Sequence, residues 1–516
     1  MPVFLSPGVF IQDVSDNVEP IEGVSVSNGA FVGLAERGPE DTPVEISSFA
    51  EFNEKFGDFL VDGYLAYGVS SFFAEGGEKC YVVRVSRDNA FAANVALNGA
   101  DASASLILRA GSVGDWGNRL EIAIGDASNG TAEDFKLTIR YHLGRPGEFT
   151  DAVDGTLIIE EFDNLNTDNM AAVVNNGSSF IFAEYLPLAD QAQETLRSAA
   201  DKRPANNTPD VFTGLTGGSN GIGTPNFIGT EADGRGLHAF DKVEDINIVS
   251  VPDLAGNRDT TAQAVAYCEN RGDCFFLLDP PPGLDVQGIL DYKRGAGSYE
   301  GNVFNSTFGA LYYPWLSVND PLTGNVRSIP ASGAVAGIYA KTDRARGVFK
   351  APAGRMDGKM TSAVGMERLT QPEEQDLLNP EGINVLRAFP GAGVVVWGAR
   401  TLSPRDAFRF VNVRRLVNFI EATLKQESNF AVFEPNTPTA WGRIRRRMNT
   451  FLMSMWRAGA LVGEVPDEAF IIKVDQENNP AEIRDAGRLI VDVGIAPTRP
   501  AEFIVVRVKQ RSLVTA

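Results

Sequence analysis

Ile246-Asn247-Ile248-Val249-Ser250-Val251, then Thr260 to Arg271 (TTAQAVAYCENR), then Phe275-Phe276-Leu277-Leu278-Asp279 reads as strand, helix, strand. A second helical stretch follows near Val286 to Lys293, and Phe308 to Leu316 is a further extended run. Strands that alternate with helices of about ten residues imply a mostly parallel sheet with helices packed on it. The fold class expected for the chain is therefore α/β.

Toward the N-terminus the same rhythm recurs. Ala30-Phe31-Val32-Gly33-Leu34 reads as a buried strand. Ser48 caps a short helix through Phe49, Phe52 and Phe56, which Gly57 stops. Tyr64 to Glu75 is helical, with Leu65, Val69, Phe72 and Phe73 on one face; Gly76-Gly77 ends it, and Cys80 to Val85 (CYVVRV) is a strand. After Arg87 the composition shifts to strands separated by Asn, Gly and Asp turns. Leu120 to Ile124 and Phe135 to Ile139 alternate with the period of two expected of half-buried strands. Leu215 to Gly223 (LTGGSNGIG) reads as a glycine-rich linker. The simplest organisation joins 24–88 and 215–355 into one α/β domain with a β-rich block, 89–214, inserted between them.

From Ser403 the pattern turns helical. Ser403-Pro404 reads as an N-cap followed by proline at the first helical position, ahead of a stripe of Val413, Val417, Ile420 and Leu424. A second helix runs from Thr439 through Trp441, Ile444, Met448, Phe451, Leu452 and Met455. Strands at Ala469 to Val474 and Arg488 to Gly494 flank the turn Glu477-Asn478-Asn479-Pro480. Residues 356–499 thus form an α+β C-terminal domain.

Both ends are strand-forming segments on proline-bearing tethers, expected to act as extended arms, 1–23 and 500–516. Val3-Phe4-Leu5 and Val9-Phe10-Ile11 flank Ser-Pro-Gly; Phe503-Ile504-Val505-Val506-Arg507-Val508 follows Pro497 and Pro500. A lone apolar strand leaves its amides and carbonyls unpaired, so it pairs with its own domain or with another molecule's sheet. Terminal strands more often fold back on their own domain. The same construction at both termini favours pairing with a neighbour.

The chain carries 46 Lys and Arg against 67 Asp and Glu, a net charge of -21, which speaks against nucleic acid as a direct partner. Val385 to Ala460 holds twelve basic against four acidic residues, leaving about -29 on the remainder. Such a chain can bind itself through complementary faces. No stretch approaches the ~20 apolar residues of a membrane helix, and the N-terminus lacks the pattern of a secretory signal, so no membrane insertion and assembly in a cytoplasm are expected. Cys80, Cys268 and Cys274 sit in or beside apolar runs and read as buried thiols. His142 and His238 have no metal-ligand partner at helical spacing.

Neither glycine-rich stretch fits a nucleotide site. Gly218 to Gly223 has the wrong glycine order for a dinucleotide fingerprint, and Gly358-Lys359 lacks the spacing and the Ser or Thr of a phosphate loop. Asp279-Pro280-Pro281-Pro282-Gly283 puts a carboxylate at the C-terminal end of a strand, where α/β enzymes bind ligands; a rigid turn is the plainer reading. No catalytic residue, cofactor or metal is assigned. Arg443, Arg445, Arg446 and Arg447 lie on a helix whose other face is apolar, with Arg405, Arg409 and Arg414 as further candidates for a basic face.

Motifs spread along the chain, from Phe31 to Pro39 through Thr342 to Gly354 to Gly487 to Gly494, resemble in their order those of the contractile tail sheath family of phages and related injection particles. Phe31 to Pro39 (FVGLAERGP) is similar to its opening motif, as is Phe72 to Val85 (FFAEGGEKCYVVRV). So are Asp115-Trp116-Gly117-Asn118, Leu311-Tyr312-Tyr313-Pro314-Trp315, Pro330-Ala331-Ser332-Gly333 and the run from Thr342 to Gly354 (TDRARGVFKAPAG). Leu378-Asn379-Pro380, Gly382-Ile383-Asn384, the run from Val396 (VWGARTL), Asn478-Asn479-Pro480 and Gly487 to Gly494 complete the series in the family's order. The resemblance is least close from Asn89 to Leu215. It implies a subunit of stacked sixfold rings around an inner tube, wired to its neighbours by its N- and C-terminal arms. It also implies a basic helix facing the tube or a neighbour, and baseplate and tail terminator or cap proteins as partners. A Rossmann-like enzyme or ligand-binding protein with an inserted domain, or a non-contractile shell or baseplate component, are the alternatives.

Overall fold

The computed structural model describes residues 27–99, 101–142, 157–189, 191–208 and 211–502. The described residues form two compact units. One is built from the described residues of 27–347 and Ala351–Val411, the other from Val348–Lys350 and residues 412–502.

The larger unit is organised by an eight-stranded sheet. Its strands are β1 (Gly29–Gly33), β2 (Val44–Ile46), β3 (Cys80–Arg84), β4 (Ile248–Ser250), β5 (Phe275–Leu278), β6 (Gly309–Tyr313), β7 (Ile383–Phe389) and β8 (Gly393–Val396). Their spatial order is β8-β7-β6-β5-β4-β1-β3-β2. The six inner strands are parallel, and β2 and β8 close the two edges antiparallel. The α/β reading of the sequence is correct. Crossover helices cover both faces, so the inner strands are apolar on both sides. Phe31, Val82, Phe275 and Tyr312 face one core; Val32, Val83, Phe276 and Leu311 face the other.

The local signals act as read. Helix α1 (Phe49–Phe56) starts where the Ser48 hydroxyl accepts the Glu51 N–H and ends at Gly57, whose φ is +83°. Helix α2 (Leu65–Ala74) follows, then α3 (Arg258–Arg271), α4 (Val286–Arg294) and α5 (Ser332–Arg346). Helices α2 and α5 touch through glycine: a Cβ on Gly333 would lie 2.4 Å from the Cα and carbonyl oxygen of Gly68.

The strands β7 and β8 mark a difference from expectation. The sequence pattern groups residues 356–411 with the C-terminal domain, whereas β7 pairs parallel with β6 and β8 pairs antiparallel with β7. An apolar run does not carry the identity of the strand beside which it settles.

The inserted block is β-rich, as its alternation indicates. Leu120–Asp126, Phe135–His142 and Leu157–Leu165 pair antiparallel in one sheet, and Asn94–Asn98, Ala104–Ala110 and Ile181–Tyr185 form another. Leu215 to Gly223 is not a free linker. It pairs antiparallel with the chain entering the block, through Asn94–Thr216, Phe91–Ser219 and Asp88–Ile222. Its glycines permit that approach: a Cβ on Gly221 would stand 2.5 Å from the Asp88 carbonyl oxygen. The motif Glu36-Arg37 then clamps block to core. Arg37 donates to the Tyr141 hydroxyl at 3.3 Å and to the carbonyls of Asn53 and Glu54, while Arg119 pairs with Glu36 and donates to Tyr141 at 2.6 Å.

Candidate assembly interface

In the C-terminal unit the chain runs through α6 (Val411–Ser428), a loop, and α7 (Pro438–Arg457). Helix α6 does not begin at Ser403-Pro404. Those residues lie in a loop folded on itself, in which the Thr401 N–H donates to the Arg409 carbonyl and the Val411 N–H to Ala399. The Ser403 hydroxyl accepts the Arg405 N–H at 3.3 Å, so the capping chemistry closes a turn. On α6, Val413, Leu416 and Ile420 are buried and Val417 and Leu424 half-buried.

Helix α7 starts at Pro438, one residue ahead of the Thr439 read from the sequence. Thr437 caps it by accepting the Ala440 N–H, and Pro438 takes the first position, where a missing N–H costs nothing. Ala440, Trp441, Ile444, Met448, Phe451 and Leu452 are buried along one stripe, and the Phe419 and Phe451 rings meet edge-on at 5.8 Å. The opposite face carries the arginines. Arg443 pairs with Glu434 at 2.5 Å, and Arg445 donates to the Val474 carbonyl at 2.6 Å. Arg447 lies 3.5 Å from Glu427 and 4.4 Å from the centre of the Phe430 ring. Arg446 is exposed. Exposed pairs of this kind contribute about 0–1 kcal/mol each, so they yield readily to another acidic partner. Arg414 is a correction: it is buried, with Nε on the Asn418 side-chain oxygen at 2.6 Å and Nη2 on Glu421 at 3.2 Å. Arg405 and Arg409 belong to the other unit, where Arg409 pairs with Asp406.

The same unit carries a two-stranded antiparallel sheet, β9 (Phe470–Lys473) and β10 (Asp492–Ile495), in the register Phe470–Ile495 to Lys473–Asp492. Among the described residues no third strand joins it, so each strand keeps one open edge. Ile471, at 64% exposure, stands on that sheet. The connection between the strands is held by the two asparagines, a role the sequence reading missed. Asn479 is fully buried, accepting the Ile490 N–H at 2.7 Å and donating to its carbonyl at 2.8 Å. Asn478 accepts the Asp475 N–H at 2.9 Å and donates to the Lys473 carbonyl at 2.8 Å. The predicted arm residues Val3, Phe4, Leu5, Val9, Phe10 and Ile11, and Phe503, Ile504, Val505, Val506, Arg507 and Val508, lie outside the described residues.

The carboxylate at the end of β5 has a structural job. Asp279 accepts the Ser332 N–H at 2.9 Å at the start of α5, and Ser332 in turn accepts from the Ser250 hydroxyl at 2.7 Å. Asp253 likewise accepts the N–H groups of Leu34 and Tyr64, at 2.7 and 2.5 Å, tying β1 to the start of α2. Buried Lys293 donates to the carbonyls of Phe304 and Leu402. Among the described residues no cluster of His, Cys, Asp or Glu could hold a metal ion, and no helix is long and apolar enough to cross a membrane.

These groups give the larger unit a defined pH response. Burial pushes the Asp279 carboxyl from 3.8 up to about 7 and that of Asp253 up to about 6. The folded chain therefore holds these protons more tightly than the unfolded chain. That contribution is complete below the ordinary value of 3.8 and is lost as pH rises through about 7. Asp279→Asn is expected to flatten the fall in stability between pH 5 and 8 by about 2–3 kcal/mol, two pKa units at about 1.4 kcal/mol each. Denaturant titrations across that range check it. Burial lowers the Lys293 ammonium to about 8, so its opposite effect, a gain in stability, comes only above that window.

The family model for the central domain of phage tail sheath proteins matches residues 228–402, and the model for their C-terminal domain matches 403–511. Together they cover more than half of the chain. The tail sheath protein of Enterobacteria phage T4 is 25% identical over 318 residues, covering 58% of this chain and 47% of that protein. That of Burkholderia phage BcepMu is 26% identical over 234 residues, covering 44% and 47%. The chain thus spans about half the length of these curated relatives. Among solved structures, the contracted sheath complex of the PVC extracellular contractile injection system superposes with a TM-score of 0.58 at 22% identity, over 99% of both chains. The sheath tail protein of Listeria innocua gives 0.60 at 12% identity, over 93% of this chain and 97% of that one. At those identities the likeness is one of fold.

Proposed function

This chain belongs to the phage tail sheath protein family, and on that premise we propose that it polymerises with copies of itself into a contractile sheath around an inner tube. Stacked hexameric rings are linked by strand exchange: the segments Val3 to Ile11 and Phe503 to Val508 of one copy add to the β9–β10 sheet of others. Contraction drives the tube through a target envelope. The role is structural rather than catalytic, with inner tube, baseplate and tail terminator or cap proteins as partners and assembly in the cytoplasm.

The observation that carries this reading is the two-stranded sheet β9–β10, to whose outer edges no further strand is paired among the described residues. Two strands are marginal alone, and added strands satisfy the open amides and carbonyls. The exposed arginines of α7 supply salt-sensitive contacts to an acidic tube or neighbour. Proline-bearing tethers let rings slide and rotate while the pairings persist.

Negative-stain electron microscopy of the purified full chain tests the proposal. Long striated cylinders are the expected result. Discrete small oligomers would instead support a ligand-binding α/β protein, and closed shells or plates a non-contractile component.

A further inference from the structure

We propose that Phe433, with Val432 beside it, is an apolar anchor that seats in a second copy of this chain and sets the register of the added strands. The inference rests on the strand-exchange reading and names a contact that reading does not contain. Phe433 is 102% exposed and Val432 61%, at the tip of the loop between α6 and α7. The Phe433 φ is +66°, in the left-handed region that side chains other than glycine, Asn and Asp rarely enter. Exposure and backbone strain both cost the isolated fold, and strain of this sort persists only where the surroundings impose it.

The surroundings do impose it. The Val432 N–H donates to the Asn429 carbonyl and the Glu434 N–H to the Ala431 carbonyl, both at 3.2 Å. Asn436 donates to the Arg488 carbonyl at 2.7 Å and accepts the Trp441 indole N–H at 2.7 Å. Glu434 is paired with Arg443, and Phe430 lies under Arg447. The loop is a braced support that presents one aromatic ring outward.

Charge says what receives it. Next to the anchor, Arg443 of α7 reaches Glu434 and Arg447 reaches the Phe430 ring, in a stretch that holds twelve basic against four acidic residues, while the rest of the chain is strongly acidic. An apolar centre with a charged rim is how protein interfaces concentrate binding, and another copy of this chain offers an acidic counterface. The anchor is also continuous with the open sheet. Asn436 and Arg445 hold the backbone of Arg488 and Val474, in the connection between β9 and β10. Main-chain pairing alone permits a slip of two residues, which returns every side chain to its own face. A ring fixed in a neighbour's pocket removes that freedom.

The test uses the purified full chain with benzoylphenylalanine in place of Phe433, irradiated after assembly. A cross-linked species of twice the chain mass, mapping to the acidic remainder of the second copy, is expected; its absence would overturn the proposal. In parallel, Phe433→Ala is expected to raise the concentration needed for cylinders at least tenfold with an unchanged thermal melt, and Phe433→Leu to recover most of that loss. Phe433→Ala cylinders at the wild-type concentration would overturn the anchor while leaving strand exchange standing. Strand exchange has its own separate readout in removal of residues 503–516.

Discussion

Removal of residues 503–516 is expected to leave both units folded and to abolish cylinders. Phe503-Ile504-Val505-Val506-Arg507-Val508 is the most strand-prone segment near the end of the chain, while β9 and β10 each have an edge to which no strand is paired among the described residues. Each main-chain hydrogen bond formed there contributes about 1 kcal/mol net, so one six-residue strand supplies only a few kcal/mol. A lattice repeats that link at every subunit, and the loss is then felt as failure to polymerise rather than as weaker binding. Size-exclusion chromatography should return a monomer with a native melting profile, and electron micrographs should lack striated tubes. Tubes of normal length and abundance from the truncated chain would remove the arm mechanism.

The second large effect comes from a single methyl group. Gly333→Ala is expected to destabilise the larger unit by about 2–4 kcal/mol, because the new Cβ would stand 2.4 Å from the backbone of Gly68. Backbone cannot rotate aside as a side chain can, so α5 must lift off α2. Gly337, one turn on, is in the same position: its Cβ would meet the Phe72 carbonyl oxygen at 2.4 Å. The same substitution at Gly442 should have the opposite sign. That glycine lies on the exposed side of α7 with nothing within 4 Å of its would-be Cβ, and alanine there is expected to add about 0.5–1 kcal/mol through helix propensity. Urea titrations of the two variants beside the parent chain give both signs in one experiment. Equal effects would mean that the contact between the two helices does not govern the stability of the unit.

Helix signals were most legible where they are local. Ser48 and Gly57 bound α1, because caps depend on residues three or four positions apart; the equally local Thr437-Pro438 cap of α7 went unread. The alternation in Leu120–Asp126 and Phe135–His142 matches their burial residue by residue, since each strand has one face on a core. Ser403-Pro404 carries the same kind of signal and starts no helix, because backbone bonds from Ala399 and Arg409 claim that stretch first. Arg414, one more arginine in a basic segment, is buried through contacts that helical spacing alone does not reveal.

From its residues alone the chain determined its classes of element, the parallel sheet of its larger unit and the separateness of its acidic body and basic helix, all of which follow from short-range periodicity and composition. Only the tertiary structure decided which strands became neighbours, bringing β7 and β8 into the large sheet and pairing β9 with β10. It also decided that Leu215 to Gly223 would zip against the incoming chain and that Phe433 would stand in solvent. The reason is physical: pairing and burial depend on atoms distant along the chain, and nothing in a segment's own periodicity records which partner it will meet.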